Sequence, residues 1–319
     1  MIRLDARQPI PEALRGAIVA LGNFDGFHRG HQAVVGEAIA WARAEGRPAI
    51  VATFDPHPVR FFVPDAPPFR LTTLDQRQDL FAAAGADAIL VFGFDAAMAT
   101  IPAEAWIADI LARHIGAAGV VTGADFTFGK GRGGDVAMLA AQGPAHGVHA
   151  RAVAAVSDGD GPVSSTRIRN ALVAGDCAEA ARLLTRPFAV RGVVGHGAKL
   201  GRTIGYPTAN LDMAHYLRPA YGIYAVSARL PGGRVVLGAA NLGIRPTFDP
   251  PLELLEPTFF DFSGDLYGQE IEVDFHAFLR PEAKFDSLEA LTTQIAADCV
   301  EARRILAEMG ITAGQPATA

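Results

Sequence analysis

The 319-residue sequence predicts a chain of two parts. The first is an α/β half built on a mostly parallel sheet; the second is an antiparallel β domain closed by one long helix. Up to about residue 173, short apolar runs alternate with segments of helical period, the pattern of a sheet covered by helices on both faces. Past Arg186-Pro187, strand-like runs follow one another through turns such as Pro231-Gly232-Gly233 with no helix between them. Residues 287–309 then carry Leu288, Leu291, Ile295, Cys299, Ala302, Ile305 and Leu306 as an apolar stripe at helical spacing. Half of the residues are apolar and 19% charged, the balance of a globular chain.

Residues 1–16, with Pro9 and Pro11, read as a lead-in. Ala17–Leu21 is short, apolar and stopped by Gly22, hence a buried strand. Gln32–Ala42 has apolar residues at helical spacing. Ala49–Phe54 is a second strand, ended by Asp55-Pro56-His57-Pro58, where two prolines forbid continuation. Residues 61–69 form a proline-rich loop, and Thr72 or Thr73 caps a helix reaching about Ala84. Further strands follow at 87–94, 118–122 and 148–156. Helices are expected at 102–114, from the glycine-rich loop 123–134 to about Gln142, and after Ser164 to Val173. In the second half, strands are expected at 189–194, 222–230, 235–242 and 271–279, in a barrel or a sandwich. The last residues, from Gly310, form a loose tail.

The chemistry concentrates where strands give way to helices. Gly22-Asn23-Phe24-Asp25-Gly26-Phe27-His28-Arg29-Gly30-His31 joins the first strand to a helix. Free N–H groups at a helix start hold phosphate. Glycine lets the backbone approach a ligand closely. His28 and His31, three apart, supply N–H donors to one face. The pattern is neither Gly-x-Gly-x-x-Gly nor a P-loop. Ser164-Ser165-Thr166-Arg167-Ile168-Arg169 opens another helix, so hydroxyls, helix N–H groups and the Arg169 guanidinium converge on one turn. In the second half, Gly192, Gly195, Gly197 and Gly201 with Lys199 form a glycine-rich loop suited to phosphates. Thr208 and Asn210 offer hard oxygen ligands on one side of an extended segment.

Together these stretches resemble the bifunctional bacterial riboflavin kinase/FAD synthetase family over nearly the whole chain. The His-x-Gly-His and Ser-Ser-Thr-x-Ile-Arg signatures match its nucleotidylyltransferase half, and Gly-x-Pro-Thr-Ala-Asn matches its flavokinase half. The resemblance implies a Rossmann-like adenylyltransferase domain over 1–185 and an antiparallel β-barrel kinase domain over 186–319. It implies phosphorylation of riboflavin to FMN, then adenylylation of FMN to FAD with release of pyrophosphate. ATP is the co-substrate and Mg2+ the metal, held at Thr208 and Asn210. In the first domain it assigns ATP binding to Gly22, Phe24, Asp25, Gly26, His28, His31, Ser164, Ser165, Thr166 and Arg169, with His28 and His31 catalytic. FMN falls to Asp55, Pro56, His57, Asp125 and Phe128; Asp125 stands where the family has Asn or Asp. In the second domain, Gly192, Gly195, Gly197, Lys199, Gly201, Thr208 and Asn210 hold ATP. Glu256 is the base, with Thr258 in place of the family's histidine, and Glu253 is the nearby alternative.

The formal charge of −6 argues against nucleic acid as the main partner. No apolar run is long enough to span a bilayer, and the N-terminus lacks a signal-peptide core. Cys177 and Cys299 are isolated, so a reducing cytoplasm is the expected compartment. Three rivals are a nucleotidylyltransferase for another substrate, a flavin-binding regulator with decayed sites, and a class I aminoacyl-tRNA synthetase. The Pro207-Thr208-Ala209-Asn210 stretch, the intact polar residues, and the length and acidity weigh against them in that order.

Overall fold

The computed structural model describes residues 1–196, 206–245 and 252–314. They form two compact units, Met1–Pro67 with Leu74–Ser164, and Pro68–Thr73 with Ser165 onward.

In the first unit the strands are β1 (Ile2–Asp5), β2 (Ile18–Leu21), β3 (Ala49–Phe54), β4 (Ala88–Phe92), β5 (Gly119–Gly123), β6 (Thr127–Phe128), β7 (Gly134–Asp135), β8 (His149–Val153), β9 (Ser157–Asp158) and β10 (Gly161–Pro162). Six make one sheet in the order β1-β4-β3-β2-β5-β8, every neighbouring pair parallel. The others pair in two short antiparallel hairpins. A parallel sheet covered on both faces needs apolar residues on both, and β2 shows the division. Ile18 and Ala20 pack with Val35, Ile39 and Phe81, from helices Arg29–Ala44 and Leu74–Ala84. Val19 and Leu21 pack with Trp106, Ile107 and Leu111 of the π-type helix Trp106–Ile115. Chain order runs outward from β2 to β3 and β4 on one side and to β5 and β8 on the other, which makes β2 the switch point. Ligands of such sheets sit beyond the carboxyl ends of the strands at that point.

Two elements depart from expectation here. Residues 2–5 are an edge strand rather than part of a lead-in, because β4 supplies a parallel partner that four residues cannot announce by periodicity. The proline-rich stretch begins with a short helix, Pro58–Phe62, capped by His57, so Phe61 and Phe62 are helical rather than loop. Proline at the first helical position has no N–H to lose there.

The second unit contains β11 (Phe188–Val193), β12 (Leu211–Asp212), β13 (Gly222–Arg229), β14 (Val235–Arg245), β15 (Leu252–Phe259) and β16 (Glu270–Pro281). Their order is β11-β16-β13-β14-β15-β12, all antiparallel. A bridge between Gly195 and Asn210 brings the two edges together, so the sheet curls into a barrel. Ser287 caps helix Leu288–Glu308, whose Ala302 and Leu306 pack on Ala225 and Ala239 of the sheet. Leu288, expected on the apolar stripe, is exposed. Arg280 clamps the buried Asp298 of that helix with two hydrogen bonds of 2.8 and 2.7 Å.

The helices Ser165–Val173 and Cys177–Leu184 belong to this second unit. The latter packs on β11 and β16 and buries Cys177, Ala180, Leu183 and Leu184. Segment Pro68–Thr73 joins them: Arg70 N–H donates to His215 O at 3.1 Å, and Leu217 N–H to Arg70 O at 2.8 Å. The compact division at Ser164/Ser165 therefore falls before the expected 185/186 boundary, which divides motifs rather than packing.

Candidate active sites

The first site is set by the turn after β2. Phe24, Gly26 and Phe27 have φ of 50°, 86° and 45°, a left-handed stretch in which two phenylalanines are held against preference. What holds them is burial: both rings pack edge-on against Phe81, at 5.9 and 5.1 Å. Gly22 suits the turn because a Cβ there would sit 3.0 Å from the Phe24 ring, a tight contact. The turn delivers His28 as the cap of helix Arg29–Ala44, its Nδ1 accepting from His31 N–H at 3.4 Å. That bond makes Nδ1 an acceptor, leaving Nε2 to carry the proton of the neutral ring. The His28 and His31 rings stack at 3.6 Å, and His28 is 5% exposed. Asp25 is also buried, and Gly30 leaves room for the His28 ring, 3.2 Å from a Cβ built there.

Arg77 is a residue that the motifs do not reveal. It lies on helix Leu74–Ala84 and is 3% exposed. Its Nη1 donates to Thr53 Oγ1 at 2.8 Å, Asn23 O at 3.1 Å and Phe54 O at 3.4 Å, while Nη2 reaches Asp55 Oδ1 at 3.5 Å. One guanidinium thus ties the loops after β2 and β3 together; a fork of five donors can do this and an ammonium cannot. The only sequence signal is a cation on a helix face that turns out to be buried.

The remaining expected residues sort by environment. His57 Nδ1 accepts from Val59 N–H at 3.2 Å, a capping role. Asp55 precedes Pro56 through a cis peptide bond. Phe61 and Phe62 lie beside the Phe94 ring, each at 5.6 Å, and Phe62 is 64% exposed. Asp125 is exposed on the loop after β5, which Ala124 N–H ties to Val153 O of β8 at 2.9 Å. Phe128 lies buried against Trp106 and stacked on Phe126. Ser164 closes the first unit, whereas Ser165, Thr166 and Arg169 lie on the first helix of the second. There Arg169 Nε donates to Phe69 O at 2.8 Å, and Arg167 pairs with Glu179 at 2.6 Å.

The second site is built by strand register. Leu211 opposes Leu255 and Asp212 opposes Leu254; Ala209 N–H donates to Pro257 O at 3.0 Å and continues the pairing. Asn210 therefore lies opposite Glu256, and Thr208 opposite Thr258. Directly opposed side chains share a face. On the other flank of β15, Asn241 of β14 opposes the same Glu256. Three strands thus set Asn210, Glu256 and Asn241 in one polar row. Asn210 is buried, and its carbonyl accepts from Gly195 N–H at 2.8 Å. The N and O of a strand residue point to the same side, so the N–H that Pro257 lacks is missed only along the Pro207–Asn210 flank, beyond the end of β12. That is how a proline, which hides this strand from pattern reading, is accommodated.

Glu253 has the opposite parity on β15 and a different environment. Arg218 Nε donates to it at 2.6 Å and the Tyr221 hydroxyl donates to its other oxygen. Burial pushes its carboxyl up, but the bonds from Tyr221 and Arg218 outweigh this and hold it below the ordinary range. It is a carboxylate already engaged. Gly192, near the end of β11, lies against Leu211, and Gly195 makes the bridge to Asn210. Gly197, Lys199 and Gly201 lie outside the described residues. Among the described residues, no group of three His, Cys, Asp or Glu could hold a metal ion. The oxygens of Thr208 and Asn210 fit a hard cation that keeps water and substrate phosphates as its other ligands.

A parallel α/β unit with paired histidines at its switch point, followed by an antiparallel barrel with a carboxylate beside a Thr-x-Asn segment, defines a two-module nucleotide-dependent transferase. The FAD synthetase family model matches residues 10–167, and the riboflavin kinase model residues 184–306. The chain belongs to the bifunctional riboflavin kinase/FMN adenylyltransferase family. The relative of that name from Escherichia coli K12 is 38% identical over 90% of this chain and 92% of its own. Those from Pseudomonas fluorescens and Bacillus subtilis are 40% and 35% identical, over 92% and 94% of this chain and 94% and 96% of their own. A crystal structure described as a macrolide-efflux protein from Streptococcus pneumoniae is 31% identical, with a TM-score of 0.85 over 95% of this chain and 99% of that one. That description disagrees with the family models and the curated relatives, which agree with one another over both halves. No helix among the described residues is long and apolar enough to cross a membrane.

Proposed function

We propose that this chain makes FAD from riboflavin in two ATP-dependent steps, with adenylylation assigned to residues 1–185 and phosphorylation to residues 186–319. The observation that carries the kinase assignment is the row Asn210–Glu256–Asn241. Glu256 takes the proton of the riboflavin 5′-hydroxyl as that oxygen attacks the γ-phosphorus of ATP and ADP leaves. Glu253, held by Arg218 and Tyr221, does not serve. Thr208 and Asn210 are the residues to hold Mg2+, which neutralises the phosphate charge when bound.

Adenylyl transfer needs no strong base, because the FMN phosphate brings its own nucleophile. It attacks the α-phosphorus of ATP and pyrophosphate departs. The helix N-terminus behind His28, with His28 and His31, supplies donors where charge develops. Ser164, Ser165, Thr166 and Arg169 are assigned to the same ATP by their motif. Asp55, Pro56, His57 and Asp125 border the FMN site, and Phe128 supports it from the core through Phe126. The substrates are riboflavin, FMN and ATP. The cytoplasm, where ATP is abundant, is the compartment that two unpaired cysteines fit. Incubation with riboflavin, ATP and Mg2+, followed by chromatography, should show FMN and then FAD; recovery of riboflavin alone overturns the reading.

A further inference from the structure

We propose that Asn241 determines substrate specificity in the kinase reaction, its carboxamide oxygen accepting a hydrogen bond from a ribityl hydroxyl of riboflavin other than the one that Glu256 deprotonates. This rests on the reading of Glu256 as the base. Asn241 sits on β14 directly across from Glu256. Its Nδ2 donates to Glu282 Oε1 at 3.3 Å. A carboxylate only accepts, so that bond fixes which way the amide points. Gly243, two residues along β14, leaves the space for Glu282: a Cβ there would collide with its carboxylate. The other amide atom, Oδ1, is buried and has no hydrogen-bond partner among the described residues.

A buried acceptor without a donor is costly, typically about 1–3 kcal/mol. A substrate group that donates would complete the site. ATP phosphates and the Glu256 carboxylate are acceptors and cannot do so. The ribityl chain carries several hydroxyls beside the one that reacts. Glu256 and Asn241 stand on adjacent strands with side chains roughly 5 Å apart at their Cβ atoms. A polyol laid across the two strands with its terminal hydroxyl at Glu256 presents a neighbouring hydroxyl at Asn241. A site built to bond a substrate hydroxyl rejects the analogue lacking it, because its own polar group is then left unpaired.

The test uses the full chain and two flavins, riboflavin and an isoalloxazine bearing a 5-hydroxypentyl chain, which keeps only the terminal hydroxyl. The analogue is measured as a substrate or, where turnover is slow, as a competitive inhibitor of riboflavin phosphorylation. In Asn241→Leu, kcat/KM for riboflavin should fall roughly ten- to hundredfold, while the constant for the analogue changes by less than about threefold. Asn241→Ser retains an acceptor oxygen and should fall between the two; it serves where the leucine variant is poorly folded. An equal loss on both flavins, or no loss on riboflavin, overturns the proposal, since a residue that only supports the strand or orients Glu256 acts on both alike. Failure of the wild-type chain to phosphorylate riboflavin is a different result and overturns the kinase reading instead.

Discussion

Glu256 and Glu253 are three residues apart on one strand and so face opposite sides of it. Glu256 lies in the row with Asn210 and Asn241, while Glu253 is engaged by Arg218 and Tyr221. Glu256→Gln should lower riboflavin phosphorylation about a hundred- to ten-thousand-fold and leave FAD formation from supplied FMN intact. Glu253→Gln should leave both rates near wild type and lower the melting temperature. The reverse pattern in the two assays would move the base to Glu253. His31→Ala should have the complementary signature, weakening FAD formation from FMN and sparing riboflavin phosphorylation. A third test concerns a polar trio in which Ser227 and His276 are buried and Asp274 half-buried. Ser227 Oγ lies 2.8 Å from His276 Nε2 and donates to Asp274 Oδ2 at 3.3 Å. Burial lowers the His276 imidazole to about 4, while burial and the neighbouring Glu272 raise the Asp274 carboxyl to about 6. His276 therefore contributes stability above its unfolded value of 6.5, lost as pH falls through about 4. Asp274 does the opposite: its contribution is full below 3.8 and lost as pH rises through about 6. Removing the imidazole isolates one side. The stability of wild type relative to His276→Gln should decline by up to about 3 kcal/mol between pH 7 and pH 4. Parallel urea curves for the two proteins at both pH values would refute this.

At the scale of elements, β14 joins much of the second site, carrying Asn241 and aligning β15. Gly238 of β14 leaves no room for a side chain against β15. A Cβ there would collide with the carbonyl oxygen of Thr258, a backbone atom that cannot swing away. Gly238→Ala should therefore cost about 1–3 kcal/mol and depress riboflavin phosphorylation, with FAD formation from FMN much less affected. A melting temperature and kinase rate equal to wild type would show that β15 can shift without consequence. The same pair of strands shows why sequence is an uneven guide. Residues 235–242 open on the apolar run Val235-Val236-Leu237 and read as a strand. The run Leu252–Phe259 holds two glutamates and a proline, and is a strand only because β14 and the Pro207–Asn210 segment flank it.

At the scale of the whole chain, the motif boundary and the packing boundary differ. A fragment starting at Arg186 loses helix Cys177–Leu184, which covers β11 and β16. A fragment starting at Ser165 keeps it. The longer fragment should melt several degrees higher, because buried side chains such as Leu183 and Leu184 contribute roughly 1.5–3 kcal/mol each. Equal melting temperatures would mean that the helix is an appendage rather than part of the barrel unit.

What the sequence determined by itself is the class of each half and the position of its motifs. Strand and helix periods are local, and glycines, histidines and the Thr-x-Asn segment must lie where chain direction changes or a phosphate is approached. What only tertiary structure decided depends on partners distant in sequence. Residues 2–5 became a strand because β4 lay beside them. Arg77 became the tie between two loops because folding buried it against Asn23, Thr53 and Asp55. Glu256 was set apart from Glu253 by register with Asn210 and Asn241. Pairing across strands and burial of a charge are properties of neighbours, and a linear pattern does not record who the neighbours will be.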